Sequence, residues 1–158
     1  MMNSKFEYFF KTVNLPKLFC LLALSKLLIT GFLSLVVTSI DEKLLSNPID
    51  ESSNYVVFFV SVLFAPFIET LIFQSLIFSV GRKFNLKDSL IIFLSTILFA
   101  SIHYYNLAYF LVIVFLGFFY SFTFSYISKR ENNFTAFLFV SSIHAVNNLV
   151  AFLVDFSR

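Results

Sequence analysis

Long apolar runs separated by short polar segments dominate the pattern of this chain. Each run is near the ~20 residues that a helix needs to cross a bilayer, and the polar breaks are too short to form a soluble domain. We therefore predict an all-α, polytopic membrane protein with about five transmembrane helices and a buried polar site. The predicted spans cover residues 18–40, 55–80, 89–105, 107–128 and 134–154.

The beginning of the chain allows two readings. Residues 1–17 interleave lysines with aromatic residues, which predicts a short interfacial lead-in. A signal peptide would have an apolar core of about 7–15 residues, and the run 18–40 is longer, so we favour a retained first span. Lys26 interrupts this run, and we expect its ammonium group to snorkel to the interface.

Composition supports a single transmembrane domain over residues 18–158. The chain has 158 residues, of which 59% are hydrophobic and 13% charged, and its mean hydropathy is +0.89. That is far more apolar than a soluble domain requires. A single cysteine, Cys20, allows no intrachain disulfide, and a net charge of +2 is too small to indicate a nucleic-acid partner. The expected partners are the lipid bilayer and a substrate.

The distribution of basic residues predicts an orientation. With the N-terminus inside, the outer segments carry only Lys43 and Arg158. The inner segments carry eight basic residues: Lys5, Lys11, Lys17, Arg82, Lys83, Lys87, Lys129 and Arg130. This asymmetry follows the positive-inside rule. It places the C-terminus outside after five spans.

Glu69 is the only acidic residue within the run 55–80. A carboxylate inside a membrane-spanning helix costs about 2.5–3.5 kcal/mol on insertion scales, so it is kept where it faces a polar cavity and has partners. At about 1.5 Å per residue, Glu69, His103, His144 and Asn148 all lie about 15–21 Å above the predicted inner ends of their spans. The pattern thus predicts one polar layer built from three helices.

Taken singly, these residues have simpler explanations. Asparagines and histidines hold membrane helices together through hydrogen bonds, and His103 is close to the interfacial Tyr104 and Tyr105. Glu69 alone is compatible with a small transporter or proton relay, although such proteins usually contain repeated halves and no repeat is visible. The conjunction of one glutamate, two histidines and an asparagine at one depth favours catalysis.

Three short motifs occur in order along residues 55–154. They are Glu69-Thr70-Leu71-Ile72-Phe73-Gln74, Phe99-Ala100-Ser101-Ile102-His103 and His144-Ala145-Val146-Asn147-Asn148. They resemble the EExxxR, FxxxH and HxxxN motifs of the CPBP family, the type II CAAX-processing and bacteriocin-processing intramembrane endopeptidases, also called the Abi family. The resemblance implies a peptidase whose substrate is a peptide or membrane protein. It also suggests the plasma membrane of a bacterium as the location.

The resemblance assigns roles to the motif residues. It implies that Glu69 and His103 activate a water molecule, and that His144 and Asn148 stabilise the oxyanion. Phe99 is a supporting residue of the second motif. In the first motif, Thr70 and Gln74 stand where the family has a glutamate and an arginine. Because they are four residues apart on a helix, we expect them to form a neutral pair.

Two further alternatives stay open at this stage. One glutamate and two histidines are a known catalytic zinc set, and members of this family are often labelled metalloproteases, so Glu69, His103 and His144 are the candidate ligands of a zinc-dependent variant. The HExxH spacing is missing, and we favour a peptidase without a cofactor. The altered Thr70 and Gln74 also allow a non-catalytic scaffold or bacteriocin-immunity protein with the same fold.

Overall fold

The computed structural model describes residues 12–45 and 52–156 of the chain. Helices and short turns account for this part, and it contains no strand. The helices are α1 (Leu15–Thr38), α2 (Asn54–Lys83), α3 (Asp88–Ser101), α4 (Leu107–Arg130) and α5 (Asn133–Phe156). A 3₁₀ turn, Glu42–Leu45, follows α1. The predicted all-α polytopic fold is confirmed.

Four of these helices are long and apolar enough to cross a membrane, namely α1, α2, α4 and α5. The exception is α3, which has 14 residues and is therefore about 21 Å long, less than the ~30 Å of a hydrocarbon core. The predicted third span, 89–105, extends too far, because the helix ends at Ser101 and His103 lies in the turn that follows. The predicted lead-in lies mostly outside the described residues, and Leu15 already begins α1.

Side-chain caps explain where α1 and α4 begin. The Oδ1 of Asn14 accepts from the backbone N–H of Lys17 at 3.0 Å, with Pro16 in the first turn. The Oδ1 of Asn106 accepts from the backbone N–H of Tyr109 at 2.8 Å. Such caps satisfy backbone N–H groups that have no partner within the helix. The Nδ2 of Asn106 also donates to the Leu44 carbonyl, which joins the α3–α4 turn to the segment after α1.

The outer surface of the bundle is apolar, whereas several of its buried positions are polar. Large side chains such as Leu35, Phe64 and Leu76 are more than half exposed, while Thr70, Ser95 and Ser121 are fully buried. Soluble monomers rarely expose apolar surface on this scale. The arrangement is that of a protein whose outer surface is solvated by lipid.

One end of the bundle gathers basic side chains around Asp88. The Asp88 carboxylate lies 2.6 Å from Lys129 Nζ and 3.9 Å from Arg82 Nη2, and it accepts from the Ser125 hydroxyl at 2.6 Å. At the same end, Arg130 donates to the Val13 carbonyl at 2.7 Å. This is the clustering that the positive-inside prediction requires. The side of a bilayer that this end faces stays a prediction.

Helix α2 is interrupted by two π-helical segments, Phe58–Phe64 and Thr70–Leu76, on either side of Ala65–Glu69. Pro66 has no N–H to donate back to the Ser61 carbonyl in the π pattern, and the Nδ2 of Asn148 on α5 donates to that carbonyl at 2.8 Å instead. In the second segment, the Ser95 hydroxyl of α3 donates to the Phe73 carbonyl at 2.6 Å. Neighbouring helices therefore hold α2 on both sides of Glu69. Short π segments often occur at functional sites.

Candidate active site

Glu69 lies between two imidazoles that come from different parts of the chain. Its Oε1 is 3.6 Å from Nε2 of His103, and its Oε2 is 3.7 Å from Nε2 of His144. The side chains of Glu69 and His103 are 18% and 16% exposed, so the group is largely shielded from solvent. The structure therefore brings together three of the four residues singled out as catalytic, around one carboxylate.

The position of His103 is fixed by the turn after α3. Its backbone N–H donates to the Ala100 carbonyl at 3.0 Å, and its Nδ1 lies 2.9 Å from the Phe99 carbonyl oxygen. A carbonyl can only accept, so the proton of the neutral imidazole is on Nδ1. Consequently Nε2 presents a lone pair toward the Glu69 carboxylate.

Phe99 forms the aromatic wall behind both histidines. Its ring centroid lies 4.8 Å from that of His103 and 6.0 Å from that of His144. The α4 backbone approaches the same ring closely, because a Cβ on Gly117 would lie 2.9 Å from Cδ1 of Phe99. His144 in turn stacks on Tyr120 with ring centroids 4.6 Å apart. Packing of this kind restricts the orientation of both imidazoles.

The two adjacent asparagines of α5 make different contacts. The Nδ2 of Asn148 donates to the Ser61 carbonyl. The Oδ1 of Asn147 accepts from the Thr30 hydroxyl at 2.9 Å and from Lys26 Nζ at 3.3 Å. Both asparagines border the cavity that contains Glu69. Sequence reasoning selected Asn148 from the motif spacing and treated Asn147 only as an interhelical contact.

The prediction that Lys26 snorkels to the interface is wrong. Lys26 is completely buried, and its Nζ donates to Thr30 at 2.9 Å and lies 4.8 Å from the centroid of the Tyr120 ring. It lies 11 residues into α1, about 16 Å from the start of the helix, which is too far for its side chain to reach the interface. The sequence already indicated that Lys26 has polar partners in the bundle, because a lysine inside a span is costly in lipid for the same reason as Glu69.

The expected pair between Thr70 and Gln74 does not form. The Oγ1 of Thr70 and the Nε2 of Gln74 are both buried without a hydrogen-bond partner. Both residues lie in the π-helical segment Thr70–Leu76, and their side chains make no hydrogen bond to each other there. The two substitutions therefore leave unsatisfied polar groups behind Glu69.

A cavity of about 280 Å³ connects these residues to one end of the bundle. Around its inner part lie Glu69, His103, His144, Phe99 and Tyr120, and toward the end of α5 it reaches Asp155. Leu45, the last residue of the 3₁₀ turn, also borders the cavity. The cavity leaves open space beside the Glu69 carboxylate.

The three candidate zinc ligands, Glu69, His103 and His144, lie close together around the carboxylate. Within residues 12–45 and 52–156, no group of three histidine, cysteine, aspartate or glutamate side chains is arranged so that it could hold a metal ion. In the Glu69 group, the two carboxylate oxygens point at different imidazoles rather than converging with them on one point. The described residues thus contain no ready-made zinc site, and the absence of a cofactor stays a prediction.

Comparison with known proteins gives one family match. The family model of type II CAAX prenyl endopeptidases, Rce1-like, matches residues 51–150. This region contains all three motifs and extends from the segment before α2 nearly to the end of α5. No curated protein and no solved structure matches the chain.

Proposed function

Since this chain belongs to the family of type II CAAX prenyl endopeptidases, Rce1-like, we propose that it is an intramembrane endopeptidase that uses Glu69 and His103 to activate water. The chain is an integral membrane protein, and its family is one of membrane proteases.

The proposal is supported mainly by two hydrogen-bond acceptors that lie close together, the Glu69 carboxylate and Nε2 of His103. With its Nδ1 proton directed to the Phe99 carbonyl, neutral His103 presents the Nε2 lone pair 3.6 Å from the Glu69 carboxylate. A water molecule at this point donates one hydrogen to the carboxylate and the other to the imidazole. Its oxygen then keeps a lone pair for attack on a carbonyl carbon. Positioned bases of this kind contribute about 10²–10⁴-fold to rates.

The reaction follows from these positions. The water oxygen bonds to the carbonyl carbon of the scissile peptide while its proton passes to Glu69, and the carbonyl oxygen becomes an oxyanion. His144, with Nε2 protonated, and an asparagine amide from α5 donate to this oxyanion. Glu69 then returns the proton to the leaving nitrogen as the C–N bond breaks, which gives a carboxylic acid and an amine. Fixed donors in a site shielded from water stabilise such developing charge strongly.

The test is peptide hydrolysis by the purified protein in detergent micelles. The substrates are a library of peptides that includes sequences ending in cysteine, two aliphatic residues and a variable residue, each with and without a prenyl group on the cysteine. Products are identified by mass spectrometry. We expect cleavage by the wild type and a loss of at least about 10²-fold in Glu69→Gln.

Glu131→Gln is the matched control, because Glu131 pairs with Arg130 at 3.1 Å outside the cavity. It should cleave at the wild-type rate. If no peptide is cleaved, or if Glu69→Gln cleaves as fast as the wild type, the enzyme assignment fails. A non-catalytic membrane scaffold would then be the better explanation.

A further inference from the structure

Tyr120 of α4 borders the cavity that contains Glu69, although α4 supplies none of the three motifs. Its side chain is 2% exposed. The ring stacks on the His144 imidazole, with centroids 4.6 Å apart and an angle of 30° between the planes. It also meets the Phe99 ring edge to face, with centroids 6.1 Å apart. Packing against these two neighbours restricts the orientation of the phenol.

The hydroxyl of Tyr120 has no hydrogen-bond partner within residues 12–45 and 52–156. Buried tyrosine hydroxyls usually have one. The charge of Glu69 acts on this hydroxyl, so the phenol oxygen lies within electrostatic range of the carboxylate in the cavity. Because the side chain is otherwise buried, the cavity is where a partner for the hydroxyl can bind.

The ammonium group of Lys26 lies over the Tyr120 ring, 4.8 Å from its centroid. Lys26 is completely buried, and its Nζ also lies 2.9 Å from Thr30 Oγ1 and 3.3 Å from Asn147 Oδ1. An ammonium group has three N–H donors, and two oxygens and the face of an aromatic ring attract all three. Contacts between a cation and a ring are strongest when water is excluded. Lys26 therefore restrains the phenol from the side of α1.

The location of Tyr120 suits a role in the proposed reaction. There, His144 and an asparagine amide of α5 donate to the oxyanion, while Glu69 and His103 hold the attacking water. Tyr120 stacks on the His144 imidazole and borders the same cavity. Its hydroxyl is thus a third neutral donor beside the place where negative charge develops. Fixed donors in a site shielded from water stabilise such charge strongly.

We propose that Tyr120 is a further catalytic residue, whose hydroxyl donates a hydrogen bond to the oxyanion, and that Lys26 is the residue that positions its ring. The proposal rests on the proposed peptidase function. The hydroxyl keeps its proton, so Tyr120 adds to the donors of α5 and replaces neither. Through Lys26, a role also falls to α1, which lies outside the matched region 51–150. This explains a lysine in the bundle interior, where a charged group is costly.

Tyr120→Phe tests the hydroxyl alone, because it keeps the ring that contacts His144 and Lys26. On a peptide that the wild type cleaves, we expect kcat to fall about 10²-fold, with KM changed by less than about threefold. The thermal midpoint in detergent should be unchanged or higher, because removing this hydroxyl leaves no partner unpaired. Tyr126→Phe is the matched control, since Tyr126 lies on the same helix outside the cavity. It should retain the wild-type kcat.

The positioning role of Lys26 is tested by a double-mutant cycle. Lys26→Met removes the ammonium group and keeps an unbranched side chain. It should lower kcat about tenfold in the wild type and less than about twofold in the Tyr120→Phe background, because the ring then carries no donor to misplace. A purely structural role would lower the folded yield in both backgrounds without this coupling in kcat.

The outcomes separate this inference from the proposed function. If Glu69→Gln is inactive but Tyr120→Phe retains the wild-type kcat, the peptidase assignment stands and Tyr120 is not a catalytic residue. A lower thermal midpoint of Tyr120→Phe with an unchanged kcat per folded molecule would show that the hydroxyl is structural. If the effects of Lys26→Met and Tyr120→Phe on kcat are independent, the positioning role is wrong. If the wild type cleaves no peptide, the function and the inference fail together.

Discussion

The imidazole of His103 is held twice by Phe99, once by its backbone and once by its ring. Nδ1 of His103 lies 2.9 Å from the Phe99 carbonyl oxygen, and the two rings lie 4.8 Å apart between centroids. The FxxxH motif is thus more than a spacing, because the backbone carbonyl of residue 99 determines the tautomer of the histidine and the phenylalanine ring restricts its tilt. Disturbing Phe99 should therefore affect catalysis without touching a catalytic residue.

Gly117→Ala provides this disturbance. The new methyl group would lie 2.9 Å from Cδ1 of Phe99, a buried ring packed on several sides. Overpacking costs about 1–3 kcal/mol, and we expect kcat for peptide cleavage to fall because the ring and His103 shift together. Gly31→Ala is the control, since a Cβ at Gly31 meets nothing within 4 Å. Equal kcat values for the two alanine variants would contradict the proposed role of Phe99.

Removal of two buried hydroxyls, those of Thr70 and Ser95, should have opposite effects on the free energy of unfolding. The Thr70 hydroxyl has no partner, so Thr70→Val should raise the free energy of unfolding by about 1 kcal/mol. The Ser95 hydroxyl bonds Phe73 and Ser121 at 2.6 and 2.7 Å, and Ser95→Ala should lower the free energy of unfolding by about 1–3 kcal/mol. Thermal unfolding in detergent measures both. Destabilisation by Thr70→Val would show that Thr70 has a partner in the membrane.

The metal-free mechanism predicts insensitivity to chelation. After strong chelation and gel filtration, the rate of peptide cleavage should be unchanged, and elemental analysis should show no stoichiometric zinc. The physical reason is that the Glu69 oxygens face separate imidazoles. One zinc per chain, lost together with activity and restored by added zinc, would instead favour the zinc-dependent variant.

The orientation predicted from the basic residues can be measured in intact cells. Single cysteines at Asp41 and at Lys83, in a Cys20→Ser background, lie at opposite ends of the bundle. Both original side chains are exposed. An impermeant thiol reagent should label the first from outside and the second only after lysis, because loops rich in lysine and arginine stay inside. Labelling of Lys83→Cys alone in intact cells would invert the topology.

The sequence by itself determined the fold class and the polar layer. Apolar runs near the length of a membrane span appear directly in the pattern, because lipid requires backbone groups to be satisfied within each helix. A single carboxylate in such a run identifies a polar interior for the same reason. The sequence therefore predicts that Glu69, His103 and His144 lie close together. Their chemical roles stay proposals.

Tertiary structure decided the contacts that depend on local irregularities and on helices distant in sequence. Helix α3 ends early at Ser101, and α2 contains π segments. Both irregularities change which side chains meet, and a regular hydrophobic periodicity predicts neither of them. The expected pair of Thr70 and Gln74 is likewise absent, since both polar groups are buried without a hydrogen-bond partner. Lys26 and Asn147 are 121 residues apart, and only the packing of α1 on α5 shows that they bond. The position of Lys26 inside a span indicates a buried polar role, but the hydrophobic pattern of its own helix does not specify which residues surround it.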